Sequence, residues 1–581
     1  MYVADFETTT DPDDCRVWAW GVCAIDNTDN FTYGNNIAAF IDWCKLANND
    51  RVYFHNLRFD GEFLLSYLLN NGFSVLLDGE KAATNTIKTM ISDKGVFYKM
   101  TVYFKINGHK TSKIDFYDSL KVLPFSVAEI AKAFNLSIQK LEIDYDEYRA
   151  PGHQLTDHEI QYLKNDIVIV AMALKELFSQ GLDKMTTASN ALYDYKQHMS
   201  YYQFMRLFPT PNYDADIRQS YRGGYCYAKK ELRGKILHDL NGYDINSLYP
   251  SVMRNYPLPF GEGVFFSGKY RESKIYPLYV QMLKCQFDLK PGYLPTIQLK
   301  NNLSFVPTEY VESTNDEIVT ICLTSVDLEI FLEHYELYNV EYLGGWKFRA
   351  STGNFAKYVD FWTMKKIEAK KNKNFPLYTI AKLMLNSLYG KFATAATVQN
   401  KYPYLDESGV IRYRLGEKLP RKPLYIPVGA FVTAWSRSVT IKAAQTHYDR
   451  FVYCDTDSLY LLGNDPPRLD IDDYKLGAWK HETKIKTGKF LRSKTYMIYC
   501  SEPDKNDYHW KITCAGMPES CHDSSAKYDK KYLSKGVYNK VTFNNFKIGS
   551  QYPGKLKPKH VPGGIVLEEI NFTINDRIRG L

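Results

Sequence analysis

Apolar and polar residues alternate from the first positions of the chain. Tyr2-Val3-Ala4-Asp5-Phe6-Glu7 reads as a strand, and Val52–His55 reads as a second. From about Thr156 to Phe178 the apolar residues recur at helical spacing, and Thr156 with Glu159 three positions on forms a capping box at the start. Strands mixed with helices predict an α/β domain ending near residue 185. The segment from there to about residue 220, with Pro209 and Pro211, reads as a connector. Beyond it, strand, helix and hairpin signals predict an α+β body, punctuated late by Pro553, Gly554, Pro562, Gly563 and Gly564.

A length of 581 residues exceeds what one core usually organises, so two or more domains are expected. The apolar fraction of 45% and charged fraction of 24% are those of an ordinary globular protein. No apolar run approaches the roughly 20 residues of a membrane span, and the acidic N-terminus does not read as a secretory signal. The expectation is a soluble protein without a membrane partner. Ten cysteines show no CxxC pair or Cys/His rhythm, so they are read as reduced and packed.

The net charge of +7 says less than its distribution. Lys480, Lys484, Lys486, Lys489, Arg492 and Lys494 lie among aromatic residues. The stretch from Lys527 to Lys559 mixes Lys530, Lys531, Tyr532, Lys535, Tyr538, Phe543, Phe546, Lys547, Lys555 and Lys557. Ammonium groups neutralise phosphates and aromatic rings stack on bases, so both runs suit a nucleic-acid track. A solvated lysine face explains them equally well.

Two sets of acids carry the chemistry. In the first, Asp5 and Glu7 share one strand face. Asp60 follows in Asn56-Leu57-Arg58-Phe59-Asp60, and Tyr162 and Asp166 share a helix face at i and i+4. Four acids in one cleft need cations, and two metal ions would activate a water against a phosphodiester, with Tyr162 orienting it. Any one of these motifs alone is commonly surface decoration. The ordered trio Asp-x-Glu, Asn-x3-Asp, Tyr-x3-Asp resembles the proofreading exonuclease of family B DNA polymerases and related DEDD nucleases. That resemblance implies metal binding by Asp5, Glu7, Asp60 and Asp166, assistance by Lys140, and a lesser metal contact from Glu142 or Asp144. It also implies a grip on the single-stranded primer end by Thr8, His55, Asn56, Phe59, Phe63, Ser119, Leu120 and Tyr145.

In the second set, Tyr243-Asp244-Ile245-Asn246-Ser247-Leu248-Tyr249-Pro250 reads as a strand running into a helix that Asn246 can cap. Phe451 to Leu461 reads as a hairpin with Asp455 and Asp457 at its tip. Asp244 facing Asp457 would form a second two-metal clamp. Between them, Lys382, Asn386 and Tyr389 share one helix face beside an apolar stripe of Ala381, Leu385, Leu388 and Phe392. The polar face can put an ammonium on triphosphate oxygens and a ring against a base. Asp-Thr-Asp by itself is also a good turn sequence.

These three blocks, in this order, resemble motifs A, B and C of family B DNA polymerases. Tyr221-Arg222-Gly223-Gly224 resembles the family's linker motif, and Lys494-Thr495-Tyr496 its primer-strand motif. The match is most similar to the protein-primed branch of small tailed bacteriophages and extends to Val561-Pro562-Gly563-Gly564. It implies an RNase H-like α/β exonuclease domain over 1–185, a mixed sheet flanked by helices. An α+β polymerase domain over 186–581 would follow. Within that, the palm would fall near 186–255, 356–362 and 426–525, and a first insertion holding a priming terminal protein near 255–355. Fingers would lie near 360–395, a second insertion closing a ring around DNA near 393–425, and the thumb near 526–581.

The resemblance further implies two Mg²⁺ ions per active site, with Mn²⁺ as a substitute. Asp244, Asp457, the Ile245 carbonyl and Asp455 would hold them for synthesis. Tyr249 would lie under the deoxyribose, with Lys366, Lys382, Asn386 and Tyr389 on the nucleotide. Tyr221, Gly223, Gly224, Ser247, Lys494 and Tyr496 would touch DNA. The implied partners are primer–template DNA, dNTPs, single-stranded DNA in the exonuclease site, and a terminal protein forming a heterodimer with an otherwise monomeric enzyme. The implied setting is the cytoplasm of an infected bacterium, where the enzyme replicates a linear viral genome with strand displacement. The stretch Lys370–Tyr378 looks long and basic for a fingers loop, which leaves Lys366 the least anchored of these contacts. A nuclease without synthesis would need only the first acid set. A DNA-binding scaffold would need neither, and an RNA polymerase or reverse transcriptase would leave the first set unexplained.

Overall fold

The computed structural model describes residues 1–145, 147–300, 302–503, 509–522 and 541–576. Lys527, Lys530, Lys531, Tyr532, Lys535 and Tyr538 of the basic, aromatic stretch lie outside the described residues.

The first 118 residues fold around a mixed eight-stranded sheet, as the alternating pattern predicts. Its third strand, Tyr2–Thr8, runs antiparallel to Val17–Ala24 on one side and parallel to Arg51–Phe54 on the other. Arg51–Phe54 in turn pairs in parallel with Lys110–Asp118. The helix Asp157–Ser179 covers this sheet, and the capping box foreseen at Thr156 and Glu159 is present in both directions. Its close approach depends on Gly21, which pairs with Asp5. A Cβ at position 21 would stand 2.7 Å from Ile167 Cδ1 and 3.0 Å from Leu163. The missing side chain lets the helix settle where Tyr162 and Asp166 reach the strand bearing Asp5 and Glu7.

The segment after this helix is not a bare connector. It forms the helices Thr187–Gln197, Tyr201–Leu207 and Asp214–Arg218. Tyr195 and Phe208 bury their rings against Phe355, Phe208 also against Phe392, and Phe204 packs on Tyr195 and Phe208; that apolar area outweighs the local proline signal. Pro209 and Pro211 only separate the last two helices.

A second, antiparallel sheet of seven strands follows. Its central strand Ile236–Ile245 lies between Trp479–Arg492 and Ser458–Leu462, and the latter forms a hairpin with Phe451–Asp455. Two packed helices, Ala356–Lys371 and Phe375–Phe392, stand beside it. Only 372–374 join them, so most of Lys370–Tyr378 is helical rather than loop. Lys373 makes the turn in the left-handed region, and the Asn374 side chain caps the second helix at Leu377 N. The apolar stripe Ala381, Leu385, Leu388 and Phe392 is buried, and Lys382 and Asn386 are exposed.

A four-stranded sheet occupies Leu258–Ser267, Leu278–Leu289, Val319–Thr324 and Tyr335–Ser351. Two separate hairpins, Thr397–Leu405 with Ile411–Pro420 and Gln551–Val561 with Gly564–Thr573, reach back to the first sheet. Their Ile411, Val561, Ile565 and Val566 join the same buried cluster as Phe54, Phe63 and Leu64. The ten cysteines are unpaired, and eight of them are buried. Among the described residues no helix is long and apolar enough to cross a membrane.

Gly21→Ala should therefore overpack the sheet–helix interface and destabilise the protein by about 1–3 kcal/mol. Denaturant unfolding of the two proteins measures this, and equal midpoints would show that the interface yields without cost.

Two carboxylate nests as candidate active sites

In the first nest, Asp5 and Glu7 come from the strand Tyr2–Thr8, Asp60 from the first turn of the helix Leu57–Asn70, and Asp166 from the long helix. Glu7, Asp60 and Asp166 are 7%, 3% and 5% exposed, so their charges have little water to lean on. Burial first, and the Asp166 charge second, push the Asp5 carboxyl up to about 7. Burial with neighbouring acids drives Glu7 and Asp60 well above the carboxylate range. Asp166 is raised by burial and eased by Lys140, whose ammonium pairs with it. Lys140 Nζ also donates to the Tyr162 hydroxyl at 3.3 Å, and Tyr145 and Tyr162 share a hydrogen bond of 2.6 Å. Burial and the adjacent carboxylates keep the Tyr162 phenol protonated.

A metal fits this donor set. All the ligands are hard oxygens, and Asp60 Oδ1 and Asp166 Oδ1 are buried without a hydrogen-bond partner. Among the described residues no three acidic, histidine or cysteine side chains are gathered tightly enough to hold an ion as they stand. Burial, joined by the neighbouring acids, holds these carboxyls above their ordinary range, and a divalent cation would relieve it.

The residues expected to grip a strand divide. Thr8, Phe59 and Leu120 are half-buried at the nest's margin, Asn56 is exposed, and Tyr145 is 53% exposed. Three differ from the expectation. Ser119 is 0% exposed and donates to the Phe54 carbonyl at 3.1 Å. Phe63 is 1% exposed in the core. His55 has both ring nitrogens engaged, with Ser119 Oγ at 2.9 Å and the Phe125 carbonyl at 2.7 Å, and burial lowers its pKa. These three are engaged within the protein rather than presented to a strand. Pattern reading also missed Arg149. It is ion-paired to Glu159 at 2.9 Å and donates to the Glu147 carbonyl at 2.8 Å, pinning the end of the loop that carries Lys140 and Tyr145.

In the second nest, Asp244 pairs in register with Ser458, and the Ile245 N–H donates to the Asp457 carbonyl at 2.8 Å. Asp244 on the central strand and Asp457 in the hairpin turn are thus drawn to adjoining points. Burial, then Asp457, then Glu482 push Asp244 up to about 7. Asp457 is raised by burial and by Asp455 and Glu482. Glu482 was not foreseen, because only the pairing of Trp479–Arg492 with the central strand brings it near. Asp455 accepts from Lys494 Nζ at 3.0 and 3.2 Å. Lys494 is therefore spent on an acid here rather than free for DNA. Tyr496, 6% exposed, is packed among Tyr453, Tyr460 and Phe490 and is likewise not at the surface.

Three residues of this nest hold left-handed backbone without being glycine: Ser247 (φ 54), Thr456 (φ 59) and Lys494 (φ 53). Ser247, not Asn246, occupies the position before the helix Leu248–Asn255, and its side chain makes no capping bond. Asn246 instead donates to the Asp472 carbonyl at 2.7 Å. Gly224 lies flat against Thr456, where a Cβ would stand 2.5 Å from Oγ1, and Thr456 N donates to the Tyr225 carbonyl at 2.7 Å. The loop Tyr221–Gly224 thereby backs the aspartate turn. Arg437 fixes that loop through the Arg222 and Gly223 carbonyls at 2.7 and 2.8 Å, itself clamped by Asp327.

Beside the acids, Tyr249 and Tyr389 stack with centroids 4.1 Å apart. Lys366 Nζ donates to Ser247 Oγ at 3.2 Å, and burial with the nearby Lys382 and Lys370 lowers its pKa. Lys366, the contact least anchored by sequence, is thus brought to the nest with Lys382. Of the basic strand, Lys489 donates to the Phe543 carbonyl at 2.6 Å and Arg492 to the Asn575 carbonyl at 2.9 Å, so both hold protein. Lys484 and Lys486 remain exposed.

Comparison with known proteins agrees with this arrangement. The family model described as DNA polymerase type B, organellar and viral, matches residues 44–150 and 141–476. The DNA polymerase of Bacillus phage B103 is 42% identical over 99% of both chains, and that of Streptococcus phage Cp-1 is 32% identical over 99% of this chain and 98% of its own. The solved structure of phi29 DNA polymerase with primer–template DNA and incoming nucleotide superposes with a TM-score of 0.90, at 42% identity, over 99% of this chain and 100% of that one. The same polymerase has been solved with single-stranded DNA, again with a TM-score of 0.90. With two acid nests in place and full-length relatives among phage polymerases, this chain belongs to the family B DNA polymerases, in the branch of the Bacillus phage phi29-type enzymes.

Proposed function

We propose that this polymerase extends a primer–template with dNTPs and corrects its product with a 3′→5′ exonuclease in the first nest. The synthetic half is supported by Asp244 on the central strand and Asp457 in the adjoining hairpin turn, where burial and then Asp457 raise the Asp244 pKa beside the Tyr249–Tyr389 stack. The editing half is supported by the burial of Asp60 and Asp166 with unpartnered oxygens beside Lys140. Two Mg²⁺ ions per nest, or Mn²⁺ in their place, would be held by Asp244, Asp457, Asp455 and the Ile245 carbonyl, and by Asp5, Glu7, Asp60 and Asp166. When bound they supply an activated hydroxyl or water and charge compensation for the phosphate.

The chain's own groups then do the positioning. Lys366 and Lys382 neutralise the triphosphate, and Asn386 and Tyr389 face the base. The Tyr249 ring fills the space under the sugar, where a 2′-hydroxyl would collide. Lys140 holds Asp166 in place, and the protonated Tyr162 hydroxyl donates to the attacking water. By the same reading 186–581 divides into palm, fingers, thumb and two insertions. The insertion near 255–355 seats a terminal protein as primer, in a heterodimer. The hairpin of 397–420 closes with the thumb hairpin of 551–573 around duplex DNA, which supports strand displacement along a linear viral genome in the bacterial cytoplasm.

Purified protein with Mg²⁺ and an end-labelled primer–template should shorten the primer without dNTPs and lengthen it with them. Asp244→Asn should cut extension by about 10³-fold, the scale of losing a preorganised charge-stabilising group, and leave shortening intact. Asp60→Ala should do the reverse. Loss of both activities in either variant would mean one shared centre. Tyr249→Val should raise ribonucleotide use by about 100-fold in a single-nucleotide filling assay, and unchanged discrimination would remove Tyr249 from the sugar gate.

Asp5 and Asp244, held at about 7 against 3.8, contribute stability that is complete below the unfolded carboxyl pKa and lost as pH rises through about 7. Mg²⁺ should therefore raise the Tm at about pH 8 and hardly at about pH 5, where protonated acids do not bind it. An equal shift at both values would dissociate the ion from these acids.

A further inference from the structure

The helix Leu57–Asn70 carries two acids that serve different faces. Asp60 looks into the first nest. Glu62, two positions on, is turned by about 200° and looks away from it. Glu62 is 2% exposed, a position where a carboxylate needs partners. Its partners come from neither its own helix nor its own sheet. Tyr413, from the hairpin of 397–420, donates its hydroxyl to Glu62 Oε1 at 2.7 Å. His560, from the hairpin of 551–573, brings Nε2 to 3.1 Å from the same oxygen as an ion-pair contact, without the geometry of a hydrogen bond. Burial and Glu62 raise the Tyr413 pKa, so the phenol stays a donor. The two rings lie 6.0 Å apart, and Glu62 Oε2 is left without a partner.

Close packing surrounds this shared oxygen. The turn of the second hairpin sits so near the first domain that a Cβ at Gly563 would lie 2.0 Å from the Cys15 carbonyl, and one at Gly564 2.6 Å from Phe63. Cys15 Sγ contacts the Ile565 carbonyl at 3.7 Å. The other hairpin is fixed farther along by a bridge between Ser92 and Asn400, and by Asn400 Nδ2 donating to Asp78 at 3.2 Å. Each hairpin thus has its own apolar footing, and they share one carboxylate oxygen.

We propose that Glu62 is a latch: one buried carboxylate oxygen couples the two hairpins, so that freeing either from the first domain loosens the other. The first domain thereby serves as the anchor for both, from the helix that also carries Asp60. Its consequence for DNA rests on the reading of the two hairpins as a ring.

Hydrogen exchange of the full chain tests the coupling directly. Tyr413→Phe should speed exchange in residues 551–573 as well as in its own hairpin, and His560→Gln should do the converse. Glu62→Ala should speed both by about tenfold, the factor that losing a hydrogen bond to a charged group implies, and Glu62→Gln, which keeps an acceptor oxygen, should restore most of the protection. Exchange changes confined to the substituted residue's own hairpin in both Tyr413→Phe and His560→Gln would overturn the latch, even if Glu62→Ala failed to fold. Product length after a single DNA encounter should shorten in Tyr413→Phe, with single-nucleotide incorporation unchanged. Coupled exchange with unchanged product length would leave the latch standing and dismiss the ring.

Discussion

Like charges held close together and away from water set the terms for the rest of this structure. Burial first, and repulsion among Asp5, Glu7, Asp60 and Asp166 in one nest and among Asp244, Asp457 and Glu482 in the other, push two carboxyls up to about 7. Such groups scatter unless the scaffold overdetermines their places. Here it does. A glycine lets a helix press onto the first strand, and Lys140 and Arg149 tie down the loop beside it. In the second nest, Gly224 lies flat under Thr456 while Arg437 bolts the glycine loop from behind.

The two nests are built on different plans. In the first, the acids come from a strand and two helices, so their convergence is a matter of packing between layers. In the second, Asp244 comes from the central strand and Asp457 from the turn of the hairpin paired to it, and a backbone hydrogen bond from Ile245 to the Asp457 carbonyl fixes their spacing. Packing can yield by fractions of an ångström, whereas a ladder of strand pairs moves as a unit.

Much of this was legible in the residues themselves. The alternation around Asp5 and Glu7, the capping box at Thr156 and the stripe from Ala381 to Phe392 are local signals, and local physics decided them. What escaped was nonlocal. Glu482 becomes a neighbour of Asp244 only through pairing of strands more than two hundred residues apart. Tyr496 reads as an exposed contact and is instead core, because three aromatic rings from other strands close over it. The stretch after residue 185 has proline punctuation, yet aromatic burial makes it helical. Asn246 looks like a helix cap, but carbonyls more than two hundred residues away claim its side chain.

The left-handed residues of the second nest carry a cost beyond their geometry. Ser247, Thr456 and Lys494 each sit where an L-residue with a side chain is disfavoured, by roughly 1–2 kcal/mol apiece. Glycine at any of them would relieve that cost, and with it remove a side chain from beside the aspartates. A search for heat-resistant variants judged on folding alone would thus be drawn to these three positions. On the proposed reading of that nest, the hardiest proteins it returned would copy poorly.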